Sequence, residues 1–266
     1  MLNLGIFAPH SPGLLPGFAD AEIAKFEQTI RALLSIGIEL KKNPPETLIV
    51  LSPHADAELD KFLVRVPKSA NFTADFSEFN IKSEPKIYRR DRILTAQITE
   101  VLHSAGLPNA PLENEKLDFG TAIPLHFLAA ALPEIEIVNI ATSLIGIPEH
   151  QKLGEVISEV AEKSSKRVAL IASGELSHKV SKASPLGFAP RAEEWEQGVL
   201  AAIADGTYEK IFHADPFELD EVAECGVRPL AGLLGAFQNI PHTSHVLAHE
   251  APAGIGLATI LLTKKM

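Results

Sequence analysis

The chain has 266 residues, 46% hydrophobic and 22% charged, a balance that supplies ample material for a core and argues against disorder. Its net charge of −10 comes with no Lys/Arg cluster beyond pairs such as Lys41-Lys42 and Arg89-Arg90, so no nucleic-acid partner is expected. A single cysteine, Cys225, excludes an internal disulfide and a Cys-rich structural zinc site, and the lack of a basic leader or long apolar run predicts a cytoplasmic protein without a membrane span.

Residues 2–7 predict a first strand, followed by a Pro/Gly-rich loop over residues 9–17. Asp20 is placed to cap a helix whose apolar stripe is Ile23, Phe26, Ile30, Leu33 and Leu34. Residues 47–51 form a continuous apolar run between Pro44-Pro45 and Pro53, as expected of a strand buried on both faces. The alternation Phe62-Leu63-Val64-Arg65-Val66 predicts an antiparallel excursion within residues 60–86. A helix over residues 91–102 and a strand over 135–140 follow, then a helix carrying Leu153, Val156, Ile157 and Val160. Residues 168–172 repeat the buried-strand pattern. Residues 192–204 and 229–237 predict helices, the second with Pro229 near its first turn, where a missing N–H costs nothing. Residues 246–247 and 255–262 are expected to close the sheet. This alternation predicts an α/β fold, a three-layer sandwich with a central mixed, largely parallel sheet, in one domain over residues 1–266.

His10, His54 and His178 each follow one of the predicted buried strands. Parallel strands would open these loops on one sheet edge, where open α/β sheets bind ligands. Two neutral imidazoles and one carboxylate form the facial arrangement of non-haem Fe(II) enzymes. The candidate carboxylates are Glu224, Glu221, Glu175, Asp56 and Asp118, and spacing alone does not choose among them. His178 ends Gly174-Glu175-Leu176-Ser177-His178 and suits a general base near neutral pH. Ser177 beside it lacks a Gly-x-Ser-x-Gly setting, which discounts a serine hydrolase. Pro241 argues against a helix aligning His242, His245 and His249; these are expected at the surface, with His249 nearest the site. Asp118-Phe119-Gly120 and Ala253-Gly254-Ile255-Gly256 lack the companions of a kinase or dinucleotide motif and predict turns or close backbone contacts.

Taken in order, Ala8-Pro9-His10-Ser11-Pro12, Ser52-Pro53-His54-Ala55, the run from Leu117-Asp118-Phe119-Gly120 to Pro124-Leu125, Ser173-Gly174-Glu175-Leu176-Ser177-His178 and Ala223-Glu224-Cys225-Gly226 resemble the motifs of class III extradiol ring-cleavage dioxygenases of the LigB type. The resemblance spans nearly the whole chain. It implies that His10, His54 and Glu224 bind Fe(II), that His178 is the active-site acid/base, and that the substrates are a small catechol-like aromatic and dioxygen. Phe119 departs from the pattern, since many members carry histidine there; His126 is the candidate replacement, with a helix residue as its other reading, and Phe119 offers an apolar wall for an aromatic ring. The chain is also similar to Memo proteins through Cys225-Gly226-Val227-Arg228-Pro229, which implies a metal-binding redox or signalling protein without ring cleavage. A zinc hydrolase built on the same histidine pair is a third reading. A homo-oligomer or a small second subunit stays open.

Overall fold

The computed structural model describes residues 1–54 and 60–265, so Asp56 lies outside the described residues. Strand β1 (Leu2–Ala8) leads through 3-10 turns at Pro12–Leu14 and Asp20–Phe26 into helix α1 (Glu27–Lys42). Then come β2 (Thr47–Ser52), β3 (Phe62–Arg65), β4 (Asn71–Ala74), β5 (Lys86–Arg90), α2 (Arg92–Ser104), β6 (Asn109–Leu112), α3 (Phe119–Leu128) and β7 (Glu136–Ala141). The second half contains α4 (Ile147–Lys163), β8 (Val168–Ser173), α5 (Ala192–Asp205), α6 (Glu209–Phe212), α7 (Pro216–Val222), α8 (Val227–Phe237), β9 (His242–Glu250) and β10 (Leu257–Lys264).

One mixed sheet runs in the order β4-β5-β7-β2-β8-β1-β10-β9, with β3 and β6 attached beside β7. Its centre, β7-β2-β8-β1, is parallel, whereas β10 and β9 extend it antiparallel. Every residue of β2 and β8 is buried, as the uninterrupted apolar runs require when helices cover both faces. Alternate side chains enter separate cores: Ile49, Leu51 and Leu170 join the helices α2, α4, α5 and α8, while Leu48, Val50 and Ile171 pack toward α1 and α3. These are the three layers expected from the sequence.

Two local expectations change. The segment from Asp20 is 3-10, and Asp20 Oδ1 accepts from Gly17 N instead of capping α1, which starts at Glu27 and buries Leu33, Ile36 and Leu40 while Leu34 faces solvent. Helix α3, not anticipated as an element, starts at its N-cap Asp118 and contains Pro124. Among the described residues no helix is long and apolar enough to cross a membrane.

Candidate metal centre

The parallel strands deliver their loops to one edge, as their order demands: His10 follows β1, His54 follows β2, and Glu175 and His178 follow β8. The Nε2 atoms of His10 and His54 face each other at 3.0 Å, with ring centroids 4.6 Å apart. The tautomer of His10 can be read from its other side. Ser173 Oγ–H donates to Gly120 O, so the same oxygen accepts from His10 Nδ1–H at 2.8 Å and leaves the Nε2 lone pair facing His54. Burial lowers the His10 pKa to about 4 and also lowers that of the more open His54, keeping both rings neutral and able to act as ligands.

A second pair of loops closes the site. His178 N donates to Val222 O at 3.1 Å, Ser177 Oγ to Val222 O at 2.8 Å, and Cys225 N to Glu175 O at 3.4 Å. Such intimacy requires glycine on both sides: a Cβ on Gly174 would lie 2.3 Å from Gly226 Cα, and one on Gly226 would lie 2.7 Å from Glu175 O. Ala223 adopts a left-handed φ of 52°, a conformation costly for a residue with a Cβ, and its carbonyl accepts from His178 Nδ1 at 2.5 Å. His178 Nε2 meets Glu175 Oε2 at 2.8 Å. Burial opposes both charges, but the hydrogen bond and mutual attraction raise the His178 pKa, and the neighbouring His10 and His178 rings hold the Glu175 carboxyl down. With Nδ1 held by Ala223 O, His178 presents Nε2 to Glu175 Oε2.

The turn directs Cys225 inward. Its Sγ lies 3.6 Å from His10 Nε2 and accepts from Glu175 N at 3.3 Å. Ligand atoms of His10, His54 and Cys225 all lie within 4.8 Å of one another, as do those of Glu175, His178 and Cys225. Glu224, the carboxylate implied by the resemblance, is turned to Val227 N at 2.6 Å and to Arg228 Nη1 at 3.7 Å, and joins neither group. Burial raises its pKa. Glu221 is exposed on α7, and Asp118 caps α3. His126 lies on α3 against the rings of Phe76 and Phe127, its buried Nδ1 unpartnered. Phe119 does form a wall of the site: it stacks on His54 at 4.5 Å and meets His10 edge-on at 5.6 Å. His249 reaches the back of the same turn, its Nε2 2.8 Å from Glu196 Oε2, while Glu196 Oε1 accepts from Ser177 N.

The donor set fits a metal ion. Atoms bonded to one ion at about 2.0–2.3 Å lie roughly 3–4 Å apart; His10 Nε2 lies 3.0 Å from His54 Nε2 and 3.6 Å from Cys225 Sγ, and all three ligand atoms fall within 4.8 Å of one another. Glu175 Oε1, buried and without a partner, is the remaining lone-pair donor beside Cys225. Of these residues, Cys225 carries the least legible signal, being the neighbour of Glu224, whereas Glu175 stands among the candidate carboxylates of the sequence.

Residues 4–258 match the family of the catalytic LigB subunit of aromatic ring-opening dioxygenase. The chain belongs to this family. It is 27% identical to Protein CA_C1420 of Clostridium acetobutylicum over 98% of this chain and 57% of that protein. It is 24% identical to the 2-aminophenol 1,6-dioxygenase beta subunit of a Pseudomonas species, over 82% of this chain and 79% of the relative. A 2,3-dihydroxyphenylpropionate/2,3-dihydroxicinnamic acid 1,2-dioxygenase of Klebsiella pneumoniae is also 24% identical, over 64% of this chain and 54% of its own length. The chain thus spans little more than half the length of the first and third relatives. An uncharacterized protein of Escherichia coli K12, JW3007, shares the fold, with a TM-score of 0.69 at 15% identity over 97% of this chain and 99% of that one. The LigB family provides the setting, a dioxygenase-type fold, in which the residues above are arranged.

Proposed function

We propose that this LigB-family chain, acting as one domain over residues 1–266, is a metal-dependent redox protein in which His10, His54 and Cys225 hold the ion. The observation that carries this reading is the position of Cys225: its sulfur completes the histidine pair, while the Glu224 carboxylate is engaged by Val227 N and Arg228. Two imidazoles and a thiolate form a softer set than two imidazoles and a carboxylate, and favour Cu(I) or Zn(II) over a hard cation. This supports the Memo-like alternative. A bound ion would supply redox or Lewis-acid chemistry and would favour the Cys225 thiolate, whose proton is otherwise held by burial.

The chain's own groups then have separable tasks. His178 is fixed through Nδ1 to Ala223 O, so its Nε2 is the atom that exchanges a proton with Glu175 Oε2 or with a substrate hydroxyl. Phe119 shields one side of His54 from water and offers a flat apolar surface to a ring.

The test is metal binding. Cu(I) affinity is expected to be lost in Cys225→Ser and His10→Ala but retained in Glu224→Gln, measured by competition with a chelator of known affinity. The reverse pattern would overturn this assignment and restore the carboxylate.

The second reading, an Fe(II) extradiol dioxygenase with His10, His54 and Glu224 as ligands and His178 and His126 moving protons, is favoured by the names of the two dioxygenase relatives. One of these is a beta subunit, which makes a second subunit worth seeking for this chain too. Anaerobic loading with Fe(II) followed by oxygen uptake on a catechol panel decides: uptake above that of His10→Ala supports ring cleavage.

A further inference from the structure

The first turn of α3 supports both histidines at once. Gly120 O accepts from Ser173 Oγ, and that hydroxyl accepts from His10 Nδ1 at 2.8 Å. Phe119 stacks on His54. Asp118 Oδ1 accepts from Ser52 Oγ at 2.5 Å, and the same Ser52 oxygen accepts from His54 N at 3.3 Å. One route runs through Ser173 at the end of β8, the other through Ser52 at the end of β2. Gly120 makes the approach feasible, because a Cβ there would lie 2.5 Å from Ser52 Oγ and 3.0 Å from Asp118 Oδ1.

Asp118 is itself held from behind. Its Oδ1 also accepts from Thr121 N at 3.1 Å, and its Oδ2 accepts from Thr121 Oγ1 at 3.0 Å. Arg65 Nη2 lies 3.5 Å from Oδ2. Arg65 is only 1% exposed on β3, and it directs other donors to the chain entering α3 and to β7: Nη1 to Lys116 O at 2.7 Å, Nε to Asn139 Oδ1 at 2.8 Å. Asn139 Nδ2 closes the circuit on Thr121 Oγ1 at 2.8 Å. Burying a guanidinium costs several kcal/mol before its partners compensate, and an apolar side chain would serve a strand core without that cost. The fork instead fixes where Asp118 points.

We propose that Asp118, aimed by the buried Arg65, is the positioning residue that sets His54 and His10 at the separation a shared metal ion requires. This rests on the reading of the two histidines as metal ligands. Asp118 touches neither ring; it acts through Ser52 on the His54 backbone and through the α3 turn on Gly120 and Phe119.

The variant Asp118→Ser separates this role from helix capping, since serine keeps a capping oxygen for Thr121 N but cannot span to Ser52 and Arg65. In metal-free protein, the ring nitrogen resonances of His10 and His54 are expected to move in Asp118→Ser. Affinity for Cu(I) and Zn(II) is expected to fall about 10- to 100-fold, as for other residues that orient metal-binding histidines, and Asp118→Asn should recover most of it. Unmoved ring resonances or wild-type affinity in Asp118→Ser would overturn the proposal. Should that variant not fold, Ser52→Ala removes the hydroxyl that links Asp118 Oδ1 to His54 N; it should move the His54 ring resonances, and no movement of His54 overturns the proposal as well. If the wild-type chain binds neither metal yet the rings move in these variants, positioning stands and the metal assignment fails.

Discussion

Neighbouring residues in the Ala223-Glu224-Cys225-Gly226 turn face opposite ways, and the backbone decides which of them enters the site. The left-handed Ala223 rotates the chain so that Glu224 returns to cap α8 and Cys225 faces His10. Sequence alone places both residues next to the site but carries no signal for the sign of one φ angle, which is why the carboxylate and the thiol could not be separated there. The glycine that follows is a stringent part of the same turn. In Gly226→Ala the new methyl would meet Glu175 O and Phe7 Cζ, each at 2.7 Å. One of these is backbone and the other a buried ring, so neither yields without moving the Glu175 loop. A loss of about 1–3 kcal/mol in urea unfolding is expected, together with weakened Cu(I) binding because Cys225 is the adjacent residue. Wild-type values for both would show that the loops are less tightly joined than their contacts imply.

At the scale of elements, legibility follows burial geometry. Strands β1, β2 and β8 could be read because a short continuous apolar run between turn residues suits a doubly covered strand better than a surface helix. Helix α3 could not: nearly all of its residues are buried, so it has no polar face to mark a helical period, and Pro124 argues locally against a helix. The α1 boundary was obscured for a related reason, since Ile23 and Phe26 continue its apolar spacing into a 3-10 segment. Helix α2 begins within one residue of where the sequence predicts it, directly after its cap Asp91. Asp91 accepts from Leu94 N at 2.9 Å, Thr47 Oγ1 at 2.6 Å and Lys166 Nζ at 2.6 Å, tying the start of α2 to β2 and to the segment before β8. Burial disfavours its charge, yet Lys166, Thr47 and the Leu94 amide outweigh that cost and lower its pKa. The folded-state pKa therefore lies below the unfolded one, and the stabilisation is present above the unfolded carboxyl pKa and lost as pH falls through the folded one. Asp91→Ala is expected to lose about 2–4 kcal/mol near neutral pH, from a cap and a partly buried ion pair together. Asp91→Asn, which keeps the cap, should lose about half as much. Equal losses in the two variants would assign the whole effect to Lys166.

Across the whole molecule, stability is expected to fall in acid because the fold encloses a fully buried histidine that belongs to neither metal-ligand group. His150 on α4 is fully buried beneath Phe62, its ring 5.0 Å from the phenyl centroid; Nδ1 donates to Gly146 O at 2.8 Å, and Nε2 has no partner. Burial lowers its pKa to about 4, against the help of the Gly146 bond. An imidazole neutral when folded and free to charge when unfolded binds more protons in the unfolded chain between about pH 4 and pH 6.5. Stability is therefore full above that window and falls as the pH drops through it, by an amount on the order of 3 kcal/mol for a fully buried ring. His10 contributes in the same direction in metal-free protein, since burial also sets its pKa to about 4. Burial lowers the pKa of His54 and His126 as well, so these sources overlap in a single titration and only the difference between variant and wild type isolates His150. In His150→Leu, with metal removed by chelator, the loss of unfolding free energy between about pH 7 and about pH 4.5 should be smaller than in the wild type by up to about 3 kcal/mol. Adding Cu(I) to the variant should raise stability near neutral pH and steepen its loss toward acid, because the bound ion keeps His10 and Cys225 deprotonated in the folded chain while the unfolded chain takes up their protons. A His150→Leu curve parallel to that of the wild type would mean that the ring is charged in the folded core or already sheltered in the unfolded chain.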